Sequence, residues 1–158
     1  MRTMTRTLIA FAACLAVTAT AGAGERRAPG DAGDFQSLLE PYFRLQSALA
    51  DDRIDTVEAD AAELARQADT LGESGKPIRD AAAALGASAD LASAREAFGK
   101  LSDVVIAYSE RTRVARGAGV ERMYCPMLKK SWLQKGEEIR NPYYGKAMLD
   151  CGVKKTVD

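Results

Sequence analysis

The sequence contains no histidine. That absence excludes Ser-His-Asp and Cys-His catalysis, haem attachment through Cys-x-x-Cys-His, and every imidazole-based zinc or copper site. It also has no excess of either charge. The 22 basic side chains face 22 acidic ones, so no electrostatic footprint points to nucleic acid. One apolar run near the N-terminus falls short of the ~20 residues that a membrane-spanning helix needs, and no other segment approaches it. What is left for chemistry is sulfur, carboxylate, amide, hydroxyl and amine. Three cysteines and five methionines make up the sulfur. At 158 residues, with 47% hydrophobic and 28% charged side chains, the chain suits one globular domain and is short for two.

The apolar run has the three-part pattern of a secretory signal peptide over residues 1–23. Arg2 and Arg6 stand at the start with no acid, Thr7 to Thr20 is apolar, and Ala21 to Gly24 is small. Cleavage after Ala21 or after Ala23 would satisfy the small-residue rule. Cys14 follows Phe-Ala-Ala and matches a lipoprotein site only weakly, so lipid anchoring at Cys14 is not expected. Removing residues 1–23 takes out two arginines, no acid and Cys14, which leaves 20 basic and 22 acidic residues over 135, a net of −2. The expected product is exported, periplasmic or beyond, without membrane insertion, and carries two cysteines where thiols tend to oxidise.

Residues 24–33 are polar and rich in Gly, Pro and charge, which reads as a flexible lead-in. Asp34 is placed to cap a helix with apolar steps at Phe35, Leu38, Leu39, Tyr42, Leu45 and Leu49, although Pro41 demands a kink or a late start. Asp51-Asp52 ends it. A second helix is expected over Ile54–Leu71, with Ile54, Val57, Ala61, Leu64, Ala68 and Leu71 on one stripe. A third, rich in alanine, is expected over Lys76–Leu85, with Pro77 in its tolerant first turn. The fourth runs from Leu91 to Val114, its Leu91, Ala94, Phe98, Leu101, Val105 and Tyr108 forming a seam to pack on partner helices. Short connections imply antiparallel neighbours. The expected fold is therefore all-α: an up-and-down four-helix bundle over 34–115, with a Cys/Met/aromatic-rich C-terminal segment, 120–152, packed on it within the same domain.

After the break at Arg116–Gly119 the composition changes. Alanine nearly vanishes, and Met123, Met127, Met148, the single tryptophan and two cysteines crowd together. Cys125 and Met127 flank Pro126 in an extended or turn geometry, which would point both side chains one way. Met148 and Cys151 are three apart, one helical turn. Asn141-Pro142-Tyr143-Tyr144-Gly145 is a turn signal able to fold the second sulfur pair onto the first. Two thiolates and two thioethers form a soft ligand set suited to Cu(I) or Ag(I), while two cysteines alone are thin for structural zinc. The competing expectation is a Cys125–Cys151 disulfide, closing a loop worth about 3 kcal/mol in the chain-entropy model, with methionines and aromatics as packing. A redox-labile pair could do both.

At Cys125-Pro126-Met127, Trp132-Leu133-Gln134, Asn141–Gly145, Met148 and Cys151-Gly152, the chain resembles the bacterial domain-of-unknown-function family number 3347. The resemblance extends upstream to Tyr42–Asp52 and to Ala94–Ser102. That family occurs alone behind a signal peptide, or attached to periplasmic adaptor subunits of heavy-metal (copper/silver) efflux systems. The resemblance implies an exported helical domain linked to periplasmic metal handling, with an efflux component as partner. Carried over, Cys125, Met127, Met148 and Cys151 would hold the metal, supported by Tyr124, Trp132, Asn141, Pro142, Tyr143, Tyr144 and Gly145. Family members often carry a histidine near the Cys-Pro-Met. This chain has Tyr124 before it, which leaves sulfur alone.

Two functions follow as expectations. One is an accessory that binds Cu(I) or Ag(I) with no organic cofactor. The other is a disulfide-stapled helical module that docks on a partner protein. No enzyme is expected, because the cysteines are 26 apart instead of in a Cys-x-x-Cys. The acids Glu40, Asp51, Asp52, Glu58, Asp60 and Glu63 read as solvated helix faces.

Overall fold

Helix α1 spans Ala32–Ala50 and buries Phe35, Leu38, Leu39, Tyr42, Leu45 and Leu49 to 1% exposure or less. These are the positions that the 3.6-residue period selects. The computed structural model describes residues 32–112 and 119–155. The signal-peptide pattern, Cys14 and the end of the fourth helix at Val114 lie outside the described residues. Asp34 falls within the first turn of α1 instead of capping it, and Pro41 sits inside the helix with no late start.

The end of α1 is shaped by its two aspartates. The Arg53 N–H donates to Ala48 O (2.8 Å), the Asp52 N–H donates to Leu49 O (3.3 Å), and Asp52 has φ 60°. This is a Schellman termination with an aspartate where glycine usually stands. The left-handed conformation is sterically costly for an L side chain, so something must hold Asp52 there.

Helices α2 (Val57–Asp69), α3 (Lys76–Gly86) and α4 (Leu91–Thr112) follow, each packed on the one before, with α4 returning to α1. Pro77 lies in the first turn of α3, where its missing N–H costs no hydrogen bond. The α4 seam is buried at Ala94, Phe98, Leu101, Val105 and Tyr108.

The C-terminal segment corrects the all-α expectation. It forms a three-stranded antiparallel sheet of order β2-β1-β3, from β1 (Val120–Cys125), β2 (Lys130–Lys135) and β3 (Val153–Lys155). The domain is therefore helices packed on an antiparallel sheet, not a helical bundle with an appended segment. Opposite pairs include Met123 with Trp132 and Cys125 with Lys130 on β2, and Tyr124 with Val153 on β3. Local preference permits the strands, and pairing between them fixes the sheet. Val120, Tyr124 and Trp132 are strand formers, and the buried Met123 and Cys125 alternate with half-buried neighbours.

Strand β2 packs across α1 and α4, so helices and sheet share one core. Tyr42 joins them. Its hydroxyl accepts from the Leu133 N–H (3.1 Å) and shares a hydrogen bond with the Ser102 hydroxyl (2.7 Å), linking α1, α4 and β2. Its ring lies 5.2 Å from that of Phe98, and burial pushes its phenol pKa up, so it remains a donor. Tyr42→Phe strands the buried Leu133 N–H and should cost about 1–3 kcal/mol in urea unfolding. A loss under about 0.5 kcal/mol would show that water reaches Leu133.

Candidate functional site

The site begins at Asn141, whose side chain is fully buried. Its Oδ1 accepts from the Tyr143 N–H (2.8 Å), and its backbone carbonyl accepts from the Gly145 N–H (3.1 Å). An asparagine before proline is suited to this, because its side chain mimics a backbone turn. The Asn141 N–H donates to Leu149 O (2.7 Å) and Nδ2 donates to Cys151 O (2.6 Å). One side chain thus closes the Asn141–Gly145 turn and anchors the Cys151 backbone. A single 3-10 turn over Gly145–Met148 connects the two, and the Cys151 N–H donates to Met148 O (3.1 Å).

Cys151 is thereby brought against Cys125, the last residue of β1. Both are free thiols and lie near enough for Cys125 to act on Cys151; Cys125 is fully buried and Cys151 half-buried. Burial pushes the Cys151 thiol up, and the neighbouring Cys125 and Asp150 add to the shift. A soft cation entering here must therefore displace a proton. Gly152 follows because Trp132 leaves no space, a Cβ there lying 2.9 Å from Trp132 Cη2.

The methionines fall differently. Strand β1 stops at Cys125, and the turn carries Met127 out to 67% exposure, so the alternation expected across Cys-Pro-Met does not hold. Met148 is 37% exposed. Among the described residues no set of three or more His, Cys, Asp and Glu side chains is grouped for a metal ion. The pair alone fits a two-sulfur site: thiolates are soft donors, and two of them suit a monovalent soft cation.

The supporting residues surround this pair. Trp132 is buried edge-on to Tyr143, with ring centroids 5.8 Å apart, and its indole N–H donates to Gln134 Oε1 (3.0 Å). Gln134 also accepts from the Arg140 N–H (3.2 Å) and donates to Glu138 O (2.6 Å), which shapes the loop into Asn141. The Tyr143 hydroxyl donates to Ser131 O (2.6 Å). Tyr124 lies under Lys155 (4.9 Å), and Tyr144 is half-buried.

Residues that sequence reasoning passed over hold the turn from the helical side. Arg95 of α4 donates from Nε to Pro142 O (3.1 Å), and from Nη2 to Leu49 O (3.0 Å) and Asp52 Oδ1 (2.5 Å). Asp52 also accepts from the Lys146 N–H (3.4 Å), and the Arg95 hydrogen bond holds its carboxyl below the usual carboxylate range. Gly145, at φ 56°, lies over this pair with no room for a Cβ. Arg140 reaches Asp51 (2.5 Å), and its carbonyl accepts from Gln46 Nε2 (2.6 Å). Asp51, Asp52 and Asp60, which Arg44 holds at 2.6 Å, are thus ion-paired and not simply solvated. The available signal was the doublet Asp51-Asp52 within one motif segment and Arg95 within another.

No family model, curated protein or solved structure matches the chain. The three segments that carry the resemblance meet at one place: Asp51 and Asp52 end α1, Arg95 lies on α4, and Asn141–Gly145 closes over both. Among the described residues no helix is long and apolar enough to cross a membrane.

Proposed function

We propose that the protein is an exported, non-enzymatic domain that binds a soft monovalent cation, Cu(I) or Ag(I), through Cys125 and Cys151 and serves a metal-efflux or homeostasis partner. The observation that supports this reading is the contact between the two thiols, made by segments 26 residues apart. Cys151 is half-buried, so a cation can arrive through it, and Cys125 supplies the second sulfur from inside. Met148, one turn before Cys151, is the thioether placed to assist exchange. Met127 would then serve delivery from the exposed turn.

The full burial of Cys125 favours a second reading, a Cys125–Cys151 disulfide that staples β1 to the segment after the turn. One sample separates the two. Reduced protein titrated with Cu(I) against a chromogenic chelator should bind one equivalent. Cys125→Ser or Cys151→Ser should weaken it at least about a hundredfold, since each removes half the donor set. Undiminished binding in Cys151→Ser sinks the metal reading. If protein from its own compartment has lost the mass of two hydrogens and resists alkylation, the staple is its resident state.

A further inference from the structure

We propose that the face beside the thiol pair, at the β1–β2 turn and the Tyr143-Tyr144 turn, docks an acidic segment of a partner protein. The first observation is a division of charge along the chain. Residues 32–112, the helices, carry 8 basic and 15 acidic side chains, a net of −7, while residues 119–155 carry 8 basic and 4 acidic, a net of +4. Neutrality of the whole hides a molecule with an acidic helical side and a basic sheet side.

The second observation is that three of these lysines form no ion pair. Among the described residues no carboxylate pairs with Lys129, Lys130 or Lys146, although eleven other cationic side chains are ion-paired. Lys130 lies over the Tyr143 ring at 5.5 Å instead. Third, the four large hydrophobic residues exposed among those described, Met127, Leu128, Met148 and Val153, all belong to this basic segment and none to the helices. Apolar side chains interspersed with unpaired lysines form a surface for a partner that brings carboxylates and an apolar anchor.

A cleft of about 320 Å³ gives this surface a shape. Leu128, Lys130, Arg95, Tyr143 and Tyr144 line it. Its one acid, Glu96, is ion-paired to Lys100 (3.1 Å) and Arg95 to Asp52, which leaves Lys130 as the lining cation without an ion pair. A concave site with two tyrosines and such a lysine suits a side-chain-bearing segment better than a flat lipid surface. A second copy of this chain could offer its acidic helices. Such a contact is head-to-tail, however, and would propagate into open chains instead of closing.

The docking does not depend on the metal reading, so it is tested on metal-free, reduced, full-length mature protein. The probes are a dodecapeptide of Glu, Leu and Gly, its Lys-for-Glu counterpart, and phosphatidylglycerol vesicles. Amide chemical shifts should move at 128–130 and 144–146 with the acidic peptide alone. Lys129→Glu with Lys146→Glu should weaken that binding at least about tenfold, while Lys76→Glu on α3 leaves it within about twofold. Four outcomes would overturn the proposal: shifts confined to α2 and α3, equal response to both peptides, vesicle binding with no peptide binding, or concentration-dependent self-association abolished by the double charge reversal.

Discussion

Gly145→Ala should destabilise the domain by about 3 kcal/mol or more and lower its melting temperature by roughly 10 °C. Two effects add. At φ 56° an alanine pays a steric penalty of about 1 kcal/mol that glycine avoids. The new Cβ would also fall onto Asp52 Oδ1 and Arg95 Nη2, so the ends of both side chains would have to give way. Arg95 would have to move, and its hydrogen bonds to Pro142 O and Leu49 O would lengthen with it. Hydrogen bonds from a charged donor contribute about 1.5–3 kcal/mol each, so losing part of two accounts for the remainder. Thermal unfolding followed by circular dichroism measures the loss. Combining it with Asp52→Gly, which removes the obstructing carboxylate, should give less than the sum of the single effects. A loss under about 1 kcal/mol for Gly145→Ala alone would mean that the Arg95–Asp52 pair does not hold the turn.

Trp132→Ala should cost about 3–5 kcal/mol, the range for deleting a buried aromatic side chain. The indole is fully buried beneath Gly152 and against Tyr143. Trp132→Phe keeps most of the volume but loses the N–H bond to Gln134, for about 1–2 kcal/mol. The same residue reports on how the domain folds. Trp132 is the sole tryptophan and lies in the sheet, yet it belongs to the core that the helices build. Its fluorescence and the helical circular dichroism should therefore change in one urea transition. Two separated transitions would show that the bundle folds without the sheet.

The helices were legible because their signal is local. Phe35, Leu38, Leu39, Tyr42, Leu45 and Leu49 recur at helical spacing, and all are buried. The strands were not, for a reason equally physical. Val120 to Cys125 and Lys130 to Lys135 are six residues each, too short for a strong period. A strand is stabilised by its partner, so Met123 opposite Trp132 carries information that neither run holds alone. The candidate site divides in the same way. Asn141-Pro142 was readable as a turn, but Arg95 looked like any helical arginine until Pro142 and Asp52 came beside it.

The sequence by itself determined the chemistry open to this protein. Without histidine the soft donors are sulfur, in three cysteines and five methionines. It determined four amphipathic helices as well, since a 3.6-residue period needs no distant partner. Only the tertiary structure decided which sulfurs meet: Cys125 with Cys151, while Met127 stands in solvent. It also decided that Asp52, Arg95 and Gly145, far apart in the chain, hold one turn together. Spacing along a chain restricts contacts only within a turn or a hairpin. Contacts across 43 or 94 residues depend on packing, and packing is a property of the whole core.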